Sequence, residues 1–181
     1  MSISPEIMRN FVAVAADQLK GSWVIIGGSV LHLLNIAARQ TEDIDLAGPL
    51  TSTQAESLKL MELAESLGLP VEAINQAGAF FLYKIPGWDR KLILVHKGLT
   101  GSIYRPNLEL FFELKLARLT EADMNDCLNY LEYSLKNVEA FDPKVLLKLC
   151  ETRITLVEKT QYKEKLSEAI RSIVAARSLR V

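Results

Sequence analysis

The sequence predicts an α/β chain of the α+β kind: a small mixed β-sheet flanked by helices over residues 1–106, with a helical C-terminal region over 107–181 packed on it. Three observations lead there. The short apolar run Trp23-Val24-Ile25-Ile26 breaks at Gly27-Gly28-Ser29 and gives way to apolar residues at helical spacing. A second short run, Asp43-Ile44-Asp45-Leu46, alternates acids with aliphatics. From Asn107 onward, the pattern is of successive helices.

Each element has a local reason. Ser4-Pro5-Glu6 supplies a cap, a first-turn proline and a first-turn acid, so a helix is expected over 4–20, with Ile7, Phe11, Val14 and Leu19 inward and Gly21 as its stop. The strand at Trp23–Ile26 follows. Ser29 stands where an N-cap is wanted for a helix over 30–39. After the acidic strand, Gly48-Pro49 closes the segment. A helix over 51–67 is expected next, capped by Thr51 or Ser52 and packed through Leu58, Met61, Leu63, Ala64 and Leu67. Residues 79–85 read as a strand, 86–89 as a turn around Pro86-Gly87, and 90–96 as a returning strand, which together make a hairpin. Asn107-Leu108-Glu109 opens a helix, and a second begins near Asp123. Asp142-Pro143 caps a helix to about residue 159, and another covers about 161–177. Leu146, Leu147, Leu149, Cys150, Ile154, Leu156, Val157, Leu166, Ile170, Ile173 and Val174 supply their apolar contacts.

Composition narrows the function. A hydrophobic content of 49% in 181 residues suits one domain, or a core with a helical extension. A net charge of −1 argues against a strongly basic nucleic-acid binder, and the basic tail of Arg171, Arg177 and Arg180 is more in keeping with solvation. Cys127 and Cys150 lack metal-ligand spacing and read as buried or half-buried thiols in a reducing compartment; His32 and His96 stand alone. Glu6, Arg9 and Asp17 interrupt the opening segment, so it lacks the form of a signal peptide. No apolar run approaches the ~20 residues that span a bilayer. A cytoplasmic protein with no membrane partner is expected.

The chemistry sits between Trp23 and Gly48. Two glycines permit a tight turn and a close approach of backbone N–H groups, and amides at a helix N-terminus suit a phosphate. Alternation along a strand puts the carboxylates of Asp43 and Asp45 on one face, with Ile44 and Leu46 on the other. Two adjacent carboxylates call for a cation, and hard oxygen ligands select Mg²⁺ or Mn²⁺. A phosphate cradle followed by a metal-binding acid pair is equipment for phosphoryl or nucleotidyl transfer. Taken singly, each half has a plainer reading: an ordinary strand–helix turn, and a solvated strand edge. The Thr41 hydroxyl has two candidate partners, a phosphate or the local backbone.

GGSVLHLL followed by TEDIDL resembles the nucleotidyltransferase fold of the polymerase-β superfamily, and within it the AbiEii-type bacterial proteins, several of which are toxins of toxin–antitoxin pairs. The resemblance implies an enzyme that uses Mg²⁺ or Mn²⁺ and takes an NTP as substrate. It implies catalytic and metal-binding roles for Asp43 and Asp45, and nucleotide contacts from Gly27, Gly28, Ser29, Arg39, Thr41, Lys115 and Arg118. Lys115 would contact phosphates and join the catalytic set, Asp123 would orient it or hold a metal, and Asp126 would lie near the site as the pair of Asp123. The plainer reading of these last residues is a surface salt-bridge network. The acceptor would be a tRNA, a protein or a small molecule, and an antitoxin protein would be a partner. Relatives of the polymerase-β type usually carry a third carboxylate on the strand beside the Asp-x-Asp strand. The returning strand over 90–96 is expected there, but carries Leu92, Ile93, Leu94 and Val95, with Asp89 in the preceding turn. The competing reading is a catalytically degenerate member that binds a nucleotide or a protein.

Overall fold

The computed structural model describes residues 3–36, 40–50 and 54–178, which form two compact units, Met1–Pro106 and Asn107–Val181. Arg39, the candidate caps Thr51 and Ser52, Arg180 and the Arg177 side chain lie outside the described set.

The first unit is a five-stranded mixed sheet with helices against it. Helix α1 (Pro5–Gln18) starts where the sequence places it: the Ser4 hydroxyl accepts from Ile7 N at 3.2 Å. Its core face is Met8, Phe11, Val12, Ala15 and Ala16. Ile7 and Val14 lie at the margin of that face, only partly buried. Strand β1 (Gly21–Ile25) leads to the short helix α2 (Ser29–Leu33), then to β2 (Ile44–Ala47). The expected helix over 30–39 stops early for a local reason. Asn35 adopts φ 55°, and Asn35 N donates to His32 O while Ile36 N donates to Leu31 O at 2.9 Å. This pair of bonds around a left-handed residue is a Schellman stop, a role asparagine can fill.

Helix α3 (Gln54–Ser66) buries Leu60, Leu63 and Ala64, while Leu58 and Met61, expected as packing residues, face solvent. Strand β3 is two residues long, Ile74–Asn75. The predicted strand over 79–85 is instead a helix, α4 (Ala79–Tyr83). The Asn75 side chain accepts from Ala77 N, and Gln76 O and Gly78 O accept from Ala79 N and Phe81 N, so the chain is already coiling when the aromatic run begins. A five-residue apolar run carries no period that separates strand from helix.

The real hairpin lies later. Strand β4 (Leu92–Lys97) pairs antiparallel with β5 (Gly101–Pro106), which in turn runs parallel to β1. The sheet order is β3-β2-β1-β5-β4. This corrects the expectation for residues 90–96: β4 is an outer strand, with β5 and β1 between it and β2. Leu92 and Leu94 therefore do not flank the Asp-x-Asp strand, and neither does Asp89, in the single helical turn Trp88–Lys91 ahead of β4.

The second unit is helical. Helix α5 (Leu108–Leu116) is capped by Asn107, α6 (Glu121–Lys136) by Thr120 and α7 (Pro143–Arg153) by Asp142; α8 (Thr160–Ser178) completes it. Helix α5 packs on α6 and α7, and α8 on α6 and α7. The core includes Phe111, Phe112, Tyr130, Leu131, Leu146, Leu166 and Ile170. Helix α7 ends six residues before the expected 159, so Leu156 and Val157, predicted to pack, are exposed, and Val174 is 38% exposed. Cys127 and Cys150 are buried thiols; burial pushes Cys127 well up and Cys150 to about 11. Among the described residues, no helix is long and apolar enough to cross a membrane.

Candidate functional site

The register of β1 on β2 builds the candidate site. Ile25 pairs with Leu46 and Val24 with Ala47, and one step further Ile26 N donates to Asp45 O at 2.9 Å. The chain then turns at Gly27, with φ 63°. A Cβ on Gly27 would stand 2.0 Å from Asp45 Oδ2 and 2.8 Å from its Cγ. The Asp45 carboxylate therefore lies directly on the Gly-Gly turn that opens α2. Only glycine both tolerates this backbone and leaves that space.

Ser29 fastens the same corner from below. It is fully buried, and Gly28, not Ser29, holds the cap position of α2. Its hydroxyl donates to Asp43 O at 3.0 Å and accepts from Asp45 N at 2.9 Å, bridging the backbone on both sides of Ile44. Thr41 Oγ1 also donates to Asp43 O, at 3.1 Å, which is the local-backbone option for that hydroxyl. His32 is buried, with Nδ1 3.4 Å from Gly28 O. In β2, Ile44, Leu46 and Ala47 are fully buried and Asp45 is half-buried, while Asp43, just ahead of the strand, is exposed.

A further residue, silent in the sequence, joins them. Strand β3 pairs parallel to β2 with Asn75 opposite Asp45, and Asn75 Nδ2 donates to Asp45 Oδ1 at 3.0 Å. The amide is oriented by Ala77 N, which donates to Asn75 Oδ1 at 3.0 Å. A two-residue strand has no pattern to announce it; the one available signal was the turn-forming run Asn75-Gln76-Ala77-Gly78.

Lys115, Arg118, Asp123 and Asp126 come together in the second unit. Lys115 Nζ donates to Asp126 Oδ2 at 2.7 Å and to Asp123 Oδ1 at 3.1 Å, all three residues being buried. Arg118 grips Asp123 with Nε and Nη2, each at 2.8 Å, while most of its own side chain stays in solvent. Asp123 also closes a capping box with Thr120. Burial pushes the Asp123 carboxyl upward, but the Arg118 guanidinium, the Thr120 N–H and Lys115 outweigh it, holding the group well below the usual carboxylate range. The ion pairs of Lys115 are thus buried, unlike the surface network that sequence spacing also allowed.

Among the described residues, no three His, Cys, Asp or Glu side chains gather as a metal-holding group. The hard-oxygen set here is Asp45 on β2 and Asp43 just ahead of it. Mg²⁺ is commonly held by one or two carboxylates with phosphate oxygens and waters completing its shell, so this pair fits such an ion in company with a nucleotide.

The mixed sheet, the Gly-Gly turn, the short helix and the strand carrying Asp45 are the parts that the nucleotidyltransferase resemblance implies. The family model described as "Nucleotidyltransferase of unknown function (DUF6036)" matches residues 5–168, and the chain belongs to that family. No curated protein and no solved structure matches the chain.

Proposed function

We propose that the protein is a metal-dependent nucleotidyltransferase that moves NMP from an NTP to an acceptor. The observation that carries this reading is the seating of the Asp45 carboxylate on the Gly27-Gly28 turn, which brings an anion-tolerant backbone corner and a cation-binding acid to one place. In the transfer, an acceptor oxygen bonds to the α-phosphorus and the bond to the bridging oxygen of the β-phosphate breaks. Pyrophosphate leaves, and the acceptor's proton passes to a base. A Mg²⁺ or Mn²⁺ ion held by Asp43 and Asp45 would offset the charge developing on the phosphates. Ser29 serves by fixing the backbone of both acids, Asn75 by orienting Asp45, and Gly27 by leaving room for the Asp45 carboxylate. Thr41 joins them through its bond to Asp43 O, and in the helical unit Asp123 and Asp126 hold Lys115 in place.

The AbiEii-type likeness extends the proposal to a toxin of a toxin–antitoxin pair, with a tRNA, protein or small-molecule acceptor. Growth arrest on expression, relieved by the product of a neighbouring gene, tests that extension. The core reading is tested by melting the protein with NTP and Mn²⁺ together. Ligands that bind only the folded state raise Tm by mass action, so Tm should rise with both present and not in Asp45→Asn. An equal rise in Asp45→Asn would overturn the assignment.

A further inference from the structure

We propose that Asn75 makes the Asp43–Asp45 site a one-cation site, an inference that rests on the nucleotidyltransferase reading above. The strand neighbours of β2 are β1 and β3, so a third ligand from an adjacent strand would have to come from one of these two. The β1 side is occupied by the Gly27 turn, whose missing side chain makes room for Asp45 Oδ2. On the β3 side, the residue in register with Asp45 is Asn75.

Its amide cannot act there as a carboxylate would. Asn75 Oδ1, the one atom able to ligate a hard cation, is turned toward Ala77 N and accepts its hydrogen bond at 3.0 Å. That contact presents Nδ2, a donor with no lone pair for a metal, to Asp45 Oδ1 at 3.0 Å. The positive end of the amide dipole thus faces the Asp45 oxygen that a second cation would need to share, were one bound. It holds the carboxylate without adding negative charge. One divalent ion, completed by nucleotide phosphates, is what two carboxylates accommodate; a second would need a further anionic ligand. Exchanging this amide for a carboxylate reverses the arrangement, because two acids 3 Å apart require a cation or a proton between them.

The experiment is Mn²⁺ titration of the full chain with a non-hydrolysable NTP analogue, reading bound ion by EPR and Tm in parallel. Wild type should bind one Mn²⁺ per chain. Asn75→Asp should bind two, melt below wild type without Mn²⁺, and gain more Tm than wild type when Mn²⁺ is added. Asn75→Ala should keep a single ion with affinity lower by about 10- to 100-fold, as when a group orienting a metal ligand is lost. Two ions on wild type, or one ion on a folded Asn75→Asp, would overturn the proposal while leaving the nucleotidyltransferase reading intact. No Mn²⁺ on wild type would overturn both. The wild-type stoichiometry decides the matter even if Asn75→Asp does not fold.

Discussion

Replacing Gly27 by alanine should unseat the candidate site, and two separable terms set the cost. The first is the backbone: φ 63° is left-handed, which costs an L-residue about 1–2 kcal/mol. The second is the collision. The new Cβ would lie 2.0 Å from Asp45 Oδ2, so the carboxylate must swing away and give up its bond from Asn75 at 3.0 Å. A hydrogen bond to a charged group contributes about 1.5–3 kcal/mol. Together these predict a loss of about 2.5–5 kcal/mol, or roughly 5–20 °C in Tm for a chain of this size. Gly68 provides the control, since it has φ 66° with nothing within 4 Å of a built Cβ. Gly68→Ala should show the backbone term alone. Urea and thermal melts of both variants, read by circular dichroism, measure the difference. If Gly27→Ala is no less stable than Gly68→Ala, the carboxylate does not rest on the turn and the geometry of the site is wrong.

Other perturbations follow from the same structure. Lys115→Met removes the cation between two buried carboxylates, Asp123 and Asp126, and should cost about 3–5 kcal/mol in urea denaturation; a loss under 1 kcal/mol would mean the cluster is solvated. The depressed carboxyl of Asp123 contributes stability that is complete above the ordinary carboxylate pKa near ~4 and is lost as pH falls through its lower folded value. The urea midpoint should therefore decline below about pH 4, and Asp123→Asn should flatten that decline while lowering stability at neutral pH. Leu94→Asp puts a carboxylate on an outer strand at a side chain already 52% exposed. It should shift stability by no more than about 0.5 kcal/mol and leave Mn²⁺ binding unchanged, as a titration against wild type would show.

What the sequence discloses here depends on how much of the chemistry is local. Strand β1, the Gly27-Gly28 break and the alternation around Ile44 are local patterns, and the caps at Ser4, Asn107 and Asp142 are single residues with one physical purpose. The run over 79–85 misled because Phe80, Phe81 and Tyr83 favour strands while the turn at Asn75–Gly78 had already committed the chain to coil. A strand read over 79–85 shifts the hairpin and sets residues 90–96 beside Asp45, where the structure has β3. Strand β5 is silent in the sequence because Gly101-Ser102-Ile103-Tyr104-Arg105-Pro106 has glycine and proline at its ends and no clean alternation. Asn75 was the least legible residue. Its role comes from a pairing across 30 residues of chain, which neither propensity nor period encodes. Ser29 stands out in the sequence as a helix cap, but its bonds run to Asp43 and Asp45, not to the start of its own helix.

The central claim is that Asp43 and Asp45 serve nucleotidyl transfer. Its most direct test incubates the protein with each α-³²P-labelled NTP and Mg²⁺, offering total tRNA and the protein itself as acceptors. Wild type should move label onto one of them and release pyrophosphate, while Asp43→Asn and Asp45→Asn, verified as folded by their melting curves, should not. Label transferred equally by wild type and by both variants would contradict the account.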